Sequence, residues 1–388
     1  MLSRETDLAF SSCPAVVAAG MTERTRGSHH PSRWCVVPGL VAWLGLAGLA
    51  VAQPPAREPH AFLRKEIGLA ESDLTAMDRG QAVAKSLRTK ASKEIAVLGV
   101  VQVRVPKEFF LDEFRDIARF KKSEFVTQIG RFSEPPRPED LEALTLERTD
   151  LDGLRTCQVG TCDMKLPGPF IARLRAEVDW NSPNHEARAN AVWREVFVDY
   201  INAYLARGHE ALGAYEHRKV SSNPVEEFRT LLRQSLHVYG DMPALHEYLE
   251  EFPNPTLTHV ENFVYWSKEH FGLKPVINLT HVAIYRPPTT GGEVLIASKN
   301  IYSSHYIDAS LGLTVLVDCQ ADEGAACLYL MYLNRSRIDA LGGAFGKIKH
   351  AIVAGKQRQG MVTLMTKLKT RLEQDYRARI TARTSVER

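Results

Sequence analysis

One stretch constrains the fold more than any other. Between residues 305 and 317 the odd positions read His305, Ile307, Ala309, Leu311, Leu313, Val315 and Val317, while the even ones read Tyr306, Asp308, Ser310, Gly312 and Thr314. A period of two is the mark of a half-buried strand. Residues 318–326 are rich in Asp, Glu, Gly and Ala and read as a turn, and the apolar, aromatic run 327–333 reads as a second strand pairing back on the first. After Asn334-Arg335-Ser336-Arg337, residues 338–383 have helical spacing, with no proline before the end of the chain. The chain therefore closes with strand, strand and long helix.

Upstream, residues 94–105 alternate, with Ile95, Val97, Val101, Val103 and Val105 on one face, and Pro106 ends the run. Residues 109–121 carry Phe109, Phe110, Phe114 and Ile117 at helical spacing. Weak helical patterns occupy 61–70 and 72–86, and 126–129 reads as a further strand. The character changes at 165–252, where 170–178, 186–212, 223–239 and 243–251 are helical patterns. The longest has a stripe of Ala187, Ala191, Val192, Val196, Tyr200, Ala203 and Tyr204. Strands resume at 262–265, 274–285 and 293–302. Short turns such as 287–292 leave no room for crossover helices, so the sheet is expected to be mostly antiparallel. The fold class is α+β: a curved, mostly antiparallel sheet with a long C-terminal helix and a helical insertion over 165–252. That insertion separates an N-terminal strand and helix part, 53–164, from C-terminal strands and helix, 253–388.

Composition narrows the function. The chain of 388 residues carries a formal net charge of only +3, with Lys and Arg spread among Asp and Glu, which gives no sign of a nucleic-acid partner. Arg24, Arg26 and Arg33 precede the apolar run 36–49 and then Ala50-Val51-Ala52, the small-x-small form read by a signal peptidase. Residues 1–52 are expected to be a signal peptide cleaved after Ala52, with Met1 or Met21 as the start. An uncleaved anchor is the alternative, although the run is shorter than the roughly 20 residues that span a bilayer. No second apolar run of that length follows, so no transmembrane segment is expected after cleavage, and a periplasmic or secreted protein results. Of the six cysteines, Cys157 with Cys162 and Cys319 with Cys327 are expected to form two local disulfides. Free thiols are the alternative, and the spacings suit a zinc knuckle poorly. No metal and no cofactor is expected.

The strand 94–105 with its stop at Pro106 and the helix 109–120, taken with 302–318, 327–336 and 338–372, resembles the START-like or helix-grip (SRPBCC-type) superfamily of lipid-transfer domains, polyketide cyclases and hydrophobic-ligand binders. The resemblance rests on element order rather than on a motif, covers about half the mature chain, and does not account for the helical insertion. It implies a curved antiparallel sheet gripping the C-terminal helix, with a cavity between them for an apolar ligand. The chain as a whole has the look of an exported bacterial protein.

Within that frame His281 and His305, near Tyr285 and Tyr329, are the candidate ligand-binding residues: polar anchors in an apolar cavity, suited to a carbonyl or hydroxyl group. Hydrogen-bonded core histidines are the competing reading. The run Tyr265-Trp266 to His270-Phe271 reads as a lid or as a junction between subdomains. Arg335 and Arg337 suit a carboxylate or phosphate headgroup, though solvated charges are the commoner case. No catalytic residue is assigned. Gly-x-Ser-x-Gly is absent, and His209-Glu210 and His246-Glu247 lack the second histidine of a zinc protease motif. The expectation is an exported, non-enzymatic binder of an apolar or amphipathic small molecule. A cyclase- or hydrolase-type enzyme using the same histidines is one alternative. An envelope protein that binds a protein partner through its helical block is the other.

Overall fold

The structure is a computed structural model that describes residues 59–217, 220–235, 242–254, 256–270, 273–288, 292–320, 325–342 and 346–386. The expected signal segment and its cleavage point lie outside the described residues. The strands are β1 (Val83–Ser86), β2 (Glu94–Val103), β3 (Val126–Arg131), β4 (Tyr215–His217), β5 (Val220–Ser222), β6 (Val260–Glu269), β7 (Val276–Tyr285), β8 (Val294–Ser303), β9 (Ile307–Gln320) and β10 (Ala326–Ile338). Eight of them form one sheet in the order β1-β2-β10-β9-β8-β7-β6-β3, and β4 pairs with β5 separately. Every neighbouring pair is antiparallel. Strands β6 to β10 form a meander joined by short turns, and β2 and β3 close its two sides.

The helices used below are α1 (Pro59–Phe62), α2 (Glu71–Asp78), α3 (Lys107–Arg115), α4 (Ile117–Phe120), α5 (Arg148–Arg155), α6 (Gly168–Glu177), α7 (His185–Arg207), α8 (Pro224–Arg233), α9 (Pro243–Glu251) and α10 (Gly346–Val386). Both faces of the sheet are covered. On one, Val97 and Val101 of β2, Val282 and Ile284 of β7, and Ile296 of β8 meet Phe110 and Phe114 of α3 and Met361, Met365 and Leu372 of α10. Gly99 makes the close approach possible: a Cβ there would lie 2.6 Å from Met361 Cγ. Three buried Met and Leu side chains on α10 contribute about 1.5–3 kcal/mol each. On the other face α5 to α7 cover Ile277 and Leu279, and α8 and α9 cover Ala283, Leu295, Ala297 and Leu311. Two-sided cover explains why β7 is buried at all ten positions. Such a strand reads as an unbroken apolar run rather than as an alternation.

The helical block is spliced between β3 and β6, which pair with each other. It reaches further upstream than the expected 165, because Leu151 and Leu154 of α5 belong to the same apolar cluster as α7. Helix α8 starts where it does because Asn223 Oδ1 accepts from the Val225 and Glu226 amides and Pro224 follows it.

Several local expectations change. The helix expected over 72–86 stops at Asp78, with Gly80 at φ 74°, and β1 takes its place. Strand β10 runs on to Ile338, so Arg335 and Arg337 are strand residues and not solvated charges: Arg335 is buried, its Nε 3.5 Å from the buried Glu94 carboxylate, and Arg337 contacts Glu227. Helix α10 runs from Gly346 to Val386, starting later than the helical pattern over 338–383. Tyr265 and Trp266 are core residues of β6 on opposite faces; Trp266 lies at the junction with the block and donates from Nε1 to the Asp140 carbonyl at 2.7 Å. Both expected disulfides are present, Cys157–Cys162 and Cys319–Cys327, and the second joins directly paired positions of β9 and β10. Among the described residues no helix is long and apolar enough to cross a membrane.

Candidate functional site

Strand pairing and two helix ends build a polar centre inside the otherwise apolar block-side face. His281 on β7 is the direct cross-strand neighbour of Lys299 on β8 and of Val264 on β6. Two residues along β6 from Val264, Asn262 faces the same way. Helix α7 brings Tyr204 over this spot and then ends at Gly208, whose φ of 57° and ψ of −130° turn the chain so that His209 follows. No other residue fits at 208, since a Cβ would lie 1.6 Å from the Phe252 carbonyl oxygen. The end of α9 adds Tyr248, the Leu249 carbonyl and, just beyond it, Phe252.

Hydrogen bonds fix the protonation pattern. Tyr248 Oη donates to Asn262 Oδ1 at 2.9 Å, and the same oxygen lies 3.0 Å from His281 Nε2. An acceptor shared in this way requires Nε2 to carry the proton. His281 Nδ1 is then bare and accepts from Tyr204 Oη at 2.9 Å. Lys299 Nζ lies 2.6 Å from His209 Nε2 and 3.3 Å from the Leu249 carbonyl oxygen, with the Phe228 ring centre at 4.3 Å and that of Tyr204 at 5.2 Å.

The electrostatics follow from burial. Burial, with Lys299 nearby as a secondary cause, pushes the His281 imidazole down to about 3 and His209 down to about 2. It also pushes the Lys299 amine well below its ordinary range and raises the phenols of Tyr204 and Tyr248. At neutral pH the two imidazoles and the two phenols are therefore uncharged, and the Lys299 amine is driven towards its neutral form.

Of the residues expected from sequence, His281 alone sits in this centre. His305 lies past the end of β8, in the turn that leads to β9. There its Nε2 is 3.1 Å from the buried Asp150 carboxylate, which also has Lys274 Nζ at 3.7 Å. Tyr285 packs in the apolar cluster under α8 and α9. Tyr329 reaches Asp78 at 3.3 Å, with the His60 ring tilted against it at 5.7 Å between centres. All four serve the block side, but they do not converge. Lys299, His209, Tyr204 and Asn262 were not singled out from sequence. The one signal available was parity: Leu295, Ala297 and Lys299 share a face of a strand whose other inward positions are apolar.

An apolar hollow opens on the same face, beyond the small Ala283–Ala297 cross-strand pair. Its enclosed volume is only about 30 Å³, opening into a wider mouth, and Pro59, Phe62, Leu98, Leu313 and Met331 line it, with Glu293 in its wall. Between the sheet and α10, by contrast, Met361 and Met365 press onto Gly99. Among the described residues no group of three or more His, Cys, Asp or Glu is arranged to hold a metal ion. No protein-family model matches the chain, and no curated protein matches it either.

Proposed function

We propose that the chain is an exported binding protein for an apolar or amphipathic small molecule, built on a helix-grip arrangement. The single observation that carries this reading is the apolar hollow over β2, β10, β9 and β8, whose lining is nearly all aliphatic and aromatic. The seat is thus on the face opposite α10 rather than between sheet and terminal helix. The helix-grip reading draws support from the long helix lying across an antiparallel sheet and from β2 leading through Pro106 into α3 and α4. Export draws support from the two disulfides and from the arginines, apolar run and Ala50-Val51-Ala52 near the start.

A binder is favoured over an acid–base enzyme because His281 has both ring nitrogens engaged and His305 belongs to a separate network with Asp150. Native mass spectrometry of the exported protein, with organic extraction of whatever accompanies it, tests the reading. A stoichiometric apolar molecule is expected, and Met331→Trp, which fills the hollow, should lower its occupancy at least tenfold. A protein that carries nothing and takes up no hydrophobic dye would overturn it.

A further inference from the structure

Three lysines are buried among the described residues: Lys165, Lys268 and Lys299. Lys165 contacts Asp308 and has Asp339 at 3.1 Å, and Lys268 has Glu147 at 2.5 Å. Lys299 has no carboxylate within 4.0 Å among the described residues. Its neighbours are an imidazole nitrogen, a backbone carbonyl and two ring faces. The chain thus pairs two of its buried lysines with an anion and leaves the third without one, beside two further bases.

We propose that a ligand supplies the missing carboxylate. The centre of Lys299 and His209 takes the acid head of an amphipathic carboxylic acid whose chain lies along the block-side face towards the apolar hollow. This rests on the binder reading and narrows it to one chemical class. The step is a proton transfer: the O–H bond of the carboxylic acid breaks, its proton forms the third N–H bond of Lys299, and a carboxylate faces an ammonium. The three N–H donors then serve the carboxylate, the Leu249 carbonyl and His209 Nε2, whose neutral ring is already an acceptor.

Two further features agree with this. His209, Asn262 and Phe252 each keep part of their surface exposed, so the centre lies one side chain deep and not at the middle of the protein. Along β8, Leu295 lines the hollow and Lys299 is the second inward residue beyond it, about 13 Å away at strand spacing. The residues between them are Ala297 and its partner Ala283, two small side chains beneath α8 and α9.

The test compares oleic acid with oleyl alcohol, which share a chain and differ in the head. Binding to the full mature protein is measured by native mass spectrometry and by displacement of a hydrophobic dye. The acid is expected to bind at least tenfold more tightly than the alcohol, and Lys299→Met should abolish that preference. A second readout needs no variant: the carboxyl signal of [1-¹³C]oleic acid bound to the unaltered protein should stay in its ionised position as pH is lowered through the range where the free acid titrates. Equal affinity for acid and alcohol, or a bound carboxyl that titrates like the free acid, overturns the headgroup assignment and leaves the binder reading standing. Binding of neither removes the reading on which it rests.

Discussion

Lys165 and Lys299 are equally buried, each about 1 % exposed, and both lie beneath the helical block, yet their surroundings are opposite. Around Lys165 the chain gathers Asp308 and Asp339, with His217 and Lys93 at the margin. Around Lys299 it gathers bases and aromatic faces. In the first case the ammonium is held by charge, and removing it strands a buried anion. In the second, burial without a compensating charge drives the amine towards its neutral form, and removing it strands no anion. The same side chain at the same depth is a structural ion pair in one place and a chemically available base in the other.

The comparison breaks most directly at Lys165. Lys165→Met should cost about 3–5 kcal/mol, because Asp308 remains buried with its nearest remaining cation, Lys93, 3.9 Å away. Lys299→Met should lie within about 1 kcal/mol of the unaltered protein, since replacing an uncompensated buried base by an apolar side chain is near neutral or stabilising. Urea denaturation of the two variants decides it, and equal losses would erase the distinction.

A pH series sharpens it next. In the unfolded chain Lys299 is protonated below about pH 10.4, while the folded site keeps it neutral well below that. Unfolding therefore takes up a proton, and stability falls as pH is lowered from about 10 towards the folded value, at a limiting slope of about 1.4 kcal/mol per pH unit. Lys299→Met should lack this slope. His281 and His209 titrate at about 3 and 2 when folded but at about 6.5 when unfolded, so stability is lost again as pH falls from about 6.5 towards 3, in protein and variant alike.

The smallest expected effect is the most specific. His209→Glu places a carboxylate beside Lys299 and makes the site resemble that of Lys165. Stability should change by less than about 1 kcal/mol, while the preference for an acid-headed ligand should disappear in the same dye-displacement measurement.

Much of the architecture was legible from residue order. The alternation of residues 305–317 fixed β9, the apolar run 327–333 located β10, and the stripe from Ala187 to Tyr204 located α7, though its buried side also takes in Trp193, Phe197 and Ile201 while Ala187 is exposed. Strand β1 was hidden because its four residues come soon after a helix and carry no alternation of their own. Arg335 and Arg337 were misread because two arginines after an apolar run look like an exit to solvent, whereas the carboxylates that receive them, Glu94 and Glu227, arrive from far away in sequence. The site was legible only in part, and for the same reason. His281 stood out as a histidine in an apolar strand, but Lys299 becomes notable only once register sets it opposite His281 and α7 delivers His209 from ninety residues upstream.

The position of the helical block between two paired strands bears on how the chain reaches its fold. Strands β6 to β10 are consecutive hairpins, so their contacts are local and can form early. By contrast, β2 must find β10 across more than two hundred residues, as in the pairing of Val103 with Leu328, and β3 must find β6 across the whole block. Closing such loops costs entropy that only a preformed template repays. The C-terminal meander is therefore the natural nucleus, and the edges and the block condense onto it afterwards. During synthesis the N-terminal half leaves the ribosome first yet has no sheet to join, so its exposed apolar helices must be kept from aggregating until the last third of the chain has appeared.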